Sequence, residues 1–311
     1  MCKNGFDIAP ERVSWGALRS LSPPLLEMFE MILRSLLAST GLLLGAVSPL
    51  AQADTLRLGI GEWATGQAST YVLKAVLEDA GHEVEVHSVS LAAIWQGLSV
   101  GELDAFTGAW LPVTQASYYE AAADRIDDLG PNLRDARIGL AVPDYAEATS
   151  MADLVDAGEA FGERIHGIDP GAGIMALTER AMDAYGLDDW RLIAGSDAAM
   201  SKTLETAMGR QEPIVVTAWA PHPVFSGQSL RYLEDPEGLY SQNERIHTVT
   251  RQGLAEEQPE ITDILDRFAW SAEDVQGLME ANQANGDYEA NARAWVEAHP
   301  ELVAQWLGED D

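Results

Sequence analysis

The sequence is poor in cysteine and in basic residues, and both shortages limit what the protein can be. Its single cysteine, Cys2, lies in the first 30 residues, so the rest of the chain has no thiol for a disulfide, a lipid anchor or a metal site. Lysine and arginine number 19 against 50 aspartates and glutamates, a formal net charge of −31. Such a surface repels nucleic acid and anionic lipid, and it suits salty surroundings.

The chain also lacks the common signatures of catalysis and cofactor binding. No G-x-S-x-G, G-x-G-x-x-G or phosphate-loop pattern occurs, and His222 and His247 have no partners at metal-ligand spacing. Paired carboxylates carry no information in so acidic a chain. We therefore expect no enzyme activity, no cofactor and no metal site, with a secreted α/β enzyme acting on a methylated amine as the remote alternative.

Residues 31–53 have the pattern of a secretory signal peptide. Arg34 precedes an apolar run that is too short to span a bilayer, and the run ends in AQA at residues 51–53, which fits the small-x-small rule for cleavage. Because a signal begins at its own methionine, we expect synthesis to start at Met31 and residues 1–30 to be an untranslated or non-native upstream extension. The alternative is a retained amphipathic segment. The signal predicts a periplasmic protein.

Hydrophobic periodicity predicts two groups of alternating strands and helices. The first group has strands at 55–63, 83–90 and 104–110 and helices at 68–81 and 91–103. The second group has strands at 137–143, 164–169, 190–195 and 213–219 and helices at 174–186 and 198–208. The tail from about residue 258 is helical. This order predicts two parallel, doubly wound α/β lobes, hinged around a cleft between strand ends.

Three tryptophans stand at equivalent places, where predicted strands end: Trp63 in GEW, Trp110 in GAWLP and Trp219 in TAWAPHP. Open α/β sheets bind ligands at this edge. One tryptophan there is usually a packing residue, but three indicate a cage for a cation without hydrogen-bond donors, such as a quaternary ammonium group. Each such contact contributes about 2 kcal/mol or less, and a micromolar complex needs about 8 kcal/mol. We therefore expect a second anchor for the ligand.

The segment GIDPGAGIM at 167–175 is the candidate for this anchor. Gly171 and Gly173 leave backbone amides uncovered where a helix begins, and the positive end of the helix dipole favours an anion there. The alternative is ordinary turn chemistry. Together with an aromatic cage, the segment would form a site for a zwitterion.

These segments together resemble the glycine betaine/proline betaine substrate-binding proteins of ABC transporters. The resemblance rests on GIDPGAGIM, VTAWAPHPVF, LRYLEDP, RIHTVTRQG and GAWLP, and it covers essentially all of residues 54–311. It implies an α/β fold of the two-lobed, hinged periplasmic-binding-protein type (type II), with the ligand in the interlobe cleft. We predict that lobe one comprises 54–141 plus 246–311 and that lobe two comprises 142–245.

The resemblance also implies roles for individual residues. Trp63, Trp110 and Trp219 would enclose the trimethylammonium group, and the backbone amides of Gly173 and Ile174 would receive the carboxylate. In some members a histidine five residues after the tryptophan of AWLP also contacts the carboxylate.

Gln115 and His222 complete the expected ligand-binding set. Gln115 stands where those members have the histidine, and it can donate a hydrogen bond without carrying a charge. His222 lies between two prolines, and its alternative role is to fix the loop beneath the third cage tryptophan. Choline-binding relatives place Asp and Tyr at positions that are Thr65 and Ile138 here, so the sequence departs from the choline pattern.

The predicted protein is a monomeric receptor of an ABC importer. It captures glycine betaine, or a related quaternary-ammonium zwitterion such as proline betaine, and delivers it to an inner-membrane ABC permease for osmoprotection. The alternative is a choline or carnitine receptor of the same fold.

Overall fold

The computed structural model describes residues 55–309 apart from residues 228 and 242. The predicted upstream extension (1–30) and the predicted signal peptide (31–53) lie outside the described residues. The described part contains nine strands and eleven α-helices, and the last five helices follow one another without a strand between them. None of its helices combines the length and hydropathy that crossing a bilayer requires.

The chain begins with a parallel unit. Its strands are β1 (Leu56–Ile60), β2 (Val84–Ser88) and β3 (Ala105–Leu111), in the spatial order β2-β1-β3. The helices are α1 (Ala64–Asp79), α2 (Leu91–Val100) and, after β3, α3 (Ala116–Ala122). Ser90 caps α2 by accepting a hydrogen bond from the Ala93 amide, and Gly101 ends it in the left-handed conformation. The predicted strand-helix-strand-helix-strand unit is confirmed.

A single long strand, β4 (Ile126–Pro143), runs through both parts of the sheet. Up to Ala136 it pairs antiparallel with β9 (Glu244–Arg251), and from Arg137 it pairs antiparallel with β7 (Val215–Ala220). We call β2, β1, β3, β9 and β4 up to Ala136 the first sheet segment, and the remaining strands the second sheet segment. The predicted lobe boundaries remain a prediction.

The first half of β4 corrects the sequence prediction, which placed a strand only at 137–143 and expected parallel sheets. The preceding stretch, IDDLGPNLRDA, is polar and contains a Gly-Pro pair, both typical of a loop. In the structure it forms a strand with three register shifts, and Gly130 and Asp135 adopt positive φ angles of 100° and 60°. Since β9 also pairs antiparallel with β3, the sheet is mixed.

The second sheet segment repeats the parallel α/β arrangement. Its parallel strands are β7, β5 (Arg164–His166) and β6 (Arg191–Ile193), in the order β7-β5-β6. The helices are α4 (Leu154–Phe161), α5 (Gly173–Tyr185) and α6 (Asp197–Gly209). The short strand β8 (Leu230–Tyr232) pairs with the end of β4. Ser196 caps α6 by accepting a hydrogen bond from the Ala199 amide.

The C-terminal tail is helical, as the sequence predicts. Its helices are α7 (Leu254–Glu257), α8 (Pro259–Arg267), α9 (Ala272–Asn285), α10 (Tyr288–Ala298) and α11 (Pro300–Leu307). Trp295 lies 5.6 Å from Trp270 and 5.8 Å from Trp306, measured between ring centroids, so these indoles form the core of the tail. Lys74 on α1 forms an ion pair with Glu289 at 3.0 Å, which joins the tail to α1.

One buried carboxylate holds three strands of the first sheet segment together. Asp104 is 1 % exposed and accepts hydrogen bonds at 2.7–2.8 Å from the side chains of Arg57 and Arg251. Burial alone would raise the pKa of the Asp104 carboxyl, but the hydrogen bonds from the two guanidinium groups outweigh it and lower the pKa. Asp104 is therefore a structural anion at the end of β1, β3 and β9 away from the tryptophans.

Candidate ligand-binding site

The three tryptophans singled out in the sequence line one cavity. Trp110 belongs to β3 and Trp219 to β7, whereas Trp63 follows β1 and directly precedes α1. Each indole is at most 9 % exposed. Residues that are far apart in the chain thus meet where strands of both sheet segments end.

The indole of Trp63 lies over glycines that leave room for it. A β-carbon on Gly61 would come within 2.1 Å of the indole ring, and one on Gly66 within 3.0 Å of its Nε1 atom. A β-carbon on Gly108 would approach the ring to 3.2 Å. Phe106 meets the indole in an edge-to-face arrangement, with centroids 6.3 Å apart. These small residues determine where this wall of the cavity stands.

The N-terminus of α5 forms another wall. Gly173 and Ile174 are its first two residues, and Ala172 before them is extended and provides no side-chain cap. The N–H groups of Gly173 and Ile174 have no acceptor among the described residues, as expected in the first turn of a helix. Both residues are buried and line the cavity. Their amides and the helix dipole can hold an anionic group.

The loop after β3 packs directly against this helix start. A β-carbon on Gly173 would lie 2.0 Å from the carbonyl oxygen of Thr114, so only glycine permits this approach. The buried Glu244 carboxylate holds the loop by accepting hydrogen bonds from the amide of Thr114 at 3.3 Å and from the preceding amide at 3.1 Å. Tyr118 donates to the Gly171 carbonyl at 3.0 Å. The first sheet segment is therefore in contact with α5.

Gln115 lines the cavity in a fixed orientation. Its Oε1 accepts from Trp95 Nε1 at 3.1 Å, and its Nε2 donates to the Gly108 carbonyl at 3.0 Å. An indole N–H only donates and a carbonyl only accepts, so these bonds determine which end of the amide is oxygen. The second N–H of Nε2 is left for another acceptor. Gln115 thus offers the cavity a donor without a charge.

His222 is not among the residues that line the cavity; it lies behind the cavity wall. Its ring meets Trp219 edge-on with centroids 4.5 Å apart. Its Nδ1 accepts from the Val224 amide at 3.1 Å, and its Nε2 lies 2.9 Å from Asp197 Oδ1. Because Nδ1 accepts from an amide, Nε2 is the ring nitrogen that donates to Asp197. This position favours the structural alternative over direct ligand contact.

Several residues that line the cavity are absent from the sequence-based set: Leu91, Thr114, Ile138, Ile168 and Ala172. Ile138 stands where choline-binding relatives have a tyrosine, and Ile168 and Ala172 belong to the GIDPGAGIM segment. Nothing in the sequence distinguishes Leu91 and Thr114 from the ordinary residues of an α/β core. Together with the predicted residues they form a narrow, mostly apolar cavity.

The side chains that line the cavity are all uncharged within the described part of the chain. A ligand with a net charge would lose its hydration there without gaining a counter-ion, which is costly. The cavity therefore suits a compact molecule whose own charges cancel. A larger depression nearby differs in its charge, because Glu62, Lys202 and Glu205 are among the residues that line it.

Comparison with known proteins identifies a family whose model matches most of the chain. The family model described as the substrate binding domain of ABC-type glycine betaine transport system matches residues 54–298. A curated relative, the glycine betaine/carnitine transport binding protein GbuC of Listeria monocytogenes, is 44 % identical over 153 residues. That alignment covers 49 % of this chain and 51 % of the relative, so the chain spans about half the length of this relative.

Two solved structures are similar along nearly their whole length. Lactococcal OpuAC, in its closed-liganded conformation complexed with glycine betaine, has a TM-score of 0.78 and 34 % identity over 81 % of this chain and 99 % of that one. The glycine betaine, L-proline transporter's binding protein ProX of Borrelia burgdorferi has a TM-score of 0.79 and 33 % identity over 81 % and 96 %. The expected α/β fold of type II periplasmic binding proteins is confirmed.

Proposed function

Because the chain belongs to the family of substrate-binding domains of ABC-type glycine betaine transport systems, we propose that it captures glycine betaine or a related zwitterion such as proline betaine. The protein acts as a monomeric periplasmic receptor, released by signal cleavage, and delivers its ligand to an inner-membrane ABC permease for osmoprotection. Its relative GbuC is named for glycine betaine and carnitine, and the similar OpuAC structure is complexed with glycine betaine.

The observation that carries this proposal is an uncharged cavity with indoles on one part of its wall and free amides on another. A quaternary ammonium group cannot donate hydrogen bonds, and its methyl groups pack on the negative faces of indoles. Trp63, Trp110 and Trp219 would contribute roughly 3–6 kcal/mol together, at about 2 kcal/mol or less each. This leaves part of the roughly 8 kcal/mol of a micromolar complex to other contacts.

The carboxylate of the ligand supplies those other contacts. The amides of Gly173 and Ile174 donate to it at the positive end of α5, and the remaining N–H of Gln115 donates from the loop after β3. The negative charge of the carboxylate then balances the positive charge of the ammonium group inside the cavity. Choline has the same cationic group without the carboxylate, and its net charge would be buried without a counter-ion.

Calorimetry on the purified protein tests this function. We expect glycine betaine to bind at least tenfold more tightly than choline, a difference of about 1.4 kcal/mol or more. Proline betaine and carnitine are measured alongside to rank the zwitterions, and glycine, which lacks the methyl groups, is the control for the carboxylate alone. Choline binding more tightly than every zwitterion would overturn the proposal in favour of a choline receptor.

We also propose that the protein leaves its ligand unchanged. The cavity residues include no charged group and no pair of nucleophile and base within the described chain. Proton NMR of glycine betaine incubated with the protein should therefore show the ligand spectrum alone after prolonged incubation. Appearance of a demethylated product would instead support a secreted enzyme acting on methylated amines.

A further inference from the structure

The carboxylate of Asp197 connects the two sheet segments. Asp197 is the first residue of α6, which follows β6 in the second sheet segment. Its Oδ2 accepts a hydrogen bond at 3.0 Å from the backbone N–H of Ala64, the first residue of α1, which follows β1 in the first sheet segment. The predicted lobe boundaries assign the two residues to different lobes. The bond is charge-assisted and lies at the positive end of α1.

The other carboxylate oxygen is fixed within the second sheet segment. Oδ1 of Asp197 accepts from His222 Nε2 at 2.9 Å and from Ser201 Oγ at 3.3 Å. The Val224 amide occupies Nδ1 of His222, so the imidazole can present only an N–H to the carboxylate. Asp197 is thus held in place from its own side whether or not Ala64 is near.

Both ends of this connection adjoin walls of the ligand cavity. Ala64 is the residue after Trp63, and the ring of His222 packs on Trp219. A movement that separates the sheet segments would break the Ala64–Asp197 bond and would at the same time move the indoles of Trp63 and Trp219 apart. The bond is therefore made in the same arrangement that completes the cage.

We propose that Asp197 is a positioning residue that stabilises the closed, ligand-bound form by holding the start of α1. The proposal rests on the proposed function. A contact made only in the closed form shifts the population toward that form and slows ligand release, while the open form that admits the ligand is unaffected. Asp197 itself need not touch the ligand.

The test combines substitutions on both sides of the bond. In Asp197→Asn the side chain keeps only one accepting oxygen. This oxygen can accept from the Ala64 N–H or from His222 Nε2 but not from both, because the side-chain NH2 group faces the other donor. Ala64→Pro removes the donor, and proline is tolerated at the first position of a helix after an extended residue such as Trp63, with φ −136° and ψ 158°. Glu205→Gln, an exposed change of the same charge on the same helix, is the matched control.

Stopped-flow tryptophan fluorescence with glycine betaine measures the rates. We expect Asp197→Asn and Ala64→Pro each to raise the dissociation rate by roughly tenfold or more, as for loss of a hydrogen bond to a charged group. The association rate should change by less than about threefold, and Glu205→Gln should match the unmodified protein. The double variant should dissociate no faster than the faster single variant, since both changes remove one bond.

A merely structural role would give a different result. If Asp197 only stabilises α6, the melting temperature of the ligand-free protein should fall in Asp197→Asn as much as that of the bound protein, and this outcome overturns the proposal. Dissociation rates equal to that of Glu205→Gln in both variants overturn it as well. We expect instead an unchanged ligand-free melting temperature and a smaller rise on adding glycine betaine.

A distance measurement separates this proposal from the proposed function. Spin labels are placed at Val100→Cys and Val155→Cys, both 54 % exposed, because residues 54–311 contain no cysteine of their own. No response of the unmodified protein to glycine betaine in calorimetry contradicts the proposed function. The closing role of Asp197 is judged from the fraction of molecules with the shorter distance between the two labels, which represents the closed form, measured in the same buffer for both proteins. A smaller fraction in Asp197→Asn than in the protein with Asp197 supports the role, and an identical fraction overturns it.

Discussion

At the scale of single residues, each tryptophan of the cavity is held by different neighbours. Trp63 packs over glycines, Trp219 packs against the ring of His222, and Trp110 is fixed by its place inside β3. None of the three depends on the other two for its position. Each indole is therefore held within its own wall of the cavity before a ligand arrives, which reduces the ordering cost of binding.

Replacing one of these indoles tests the cage. We expect Trp219→Ala to raise the Kd for glycine betaine at least tenfold, about 1.4 kcal/mol, because a cation–π contact and its buried face are lost. Trp190→Ala is the control, since Trp190 is similarly buried but packs against Phe161 away from the cavity. Calorimetry gives both affinities. Unchanged binding in a folded Trp219→Ala protein would show that its indole does not contact the ligand.

Gln115 allows a test of which end of the ligand lies nearby. Gln115→Glu places a carboxylate where a neutral donor faces the cavity, so we expect glycine betaine to bind at least roughly tenfold more weakly through repulsion of its carboxylate. Choline, which has no carboxylate, should lose less affinity or gain some. Gln305→Glu, on the exposed side of α11, is the control for the added charge. Equal losses for the two ligands would contradict this placement of the carboxylate.

Sequence alone could predict the residues of the site that differ chemically from their surroundings. Indoles at strand ends and an uncapped Gly-rich helix start are unusual, and the structure brings Trp63, Trp110, Trp219, Gly173 and Ile174 to one cavity, together with Gln115. Leu91 could not be predicted because aliphatic residues are common in every core. Asp197 could not be predicted either, because nothing in the sequence distinguishes it among the 50 acidic residues.

At the scale of elements, the start of α5 and the loop after β3 define how closely the two sheet segments can approach. The Thr114 carbonyl occupies the space that a side chain at position 173 would need. The same short contact places the free amides of α5 beside Gln115. The glycine is thus required for the approach of the two segments rather than for a turn, because its φ angle is an ordinary helical one.

Gly173→Ala should therefore oppose closure while leaving both amides in place. We expect a loss of roughly 1–3 kcal/mol in binding, about ten- to hundredfold in Kd, from the clash with Thr114. The melting temperature of the ligand-free protein should not change. Gly277→Ala on α9 is the control, because its β-carbon meets nothing within 4 Å and the change should be neutral or slightly stabilising. Wild-type affinity in Gly173→Ala would show that this contact is absent from the bound form.

The elements that periodicity predicted correctly are those with one apolar face, such as the helix and strand pairs of both parallel units. The first half of β4 could not be predicted in this way. Its Gly-Pro pair and its charges at 127, 128, 134 and 135 resemble a loop, and only pairing with β9, more than 100 residues later in the chain, makes it a strand. Such pairing depends on tertiary context, which local propensity does not contain.

At the scale of the whole molecule, the excess of acidic residues opposes the compact state. At a net charge of −31 the excess carboxylates repel one another, and dissolved ions screen that repulsion. We expect the melting temperature near pH 7 to rise by at least about 2–4 °C between 0.05 M and 1 M KCl, equivalent to about 1 kcal/mol. Scanning calorimetry measures this directly.

The control for this salt effect is the same experiment near pH 4.3, the isoelectric point of the sequence, where the net charge is small. The rise with KCl should largely disappear there. A melting temperature that falls with KCl near pH 7 would contradict the repulsion argument, because it would mean that favourable ion pairs dominate over the excess of like charges.

The path of the chain has a consequence for biosynthesis. The polypeptide leaves the first sheet segment at Arg137 and returns only with β9, so β3 and the first half of β4 share a partner that is made after the whole second sheet segment. During synthesis, the strands of the second sheet segment can pair with one another early. The edge of β3 that pairs with β9 stays unpaired until β9 is made. The portion synthesised first is completed last, and until β9 arrives it is the portion most exposed to proteases and to pairing with other chains.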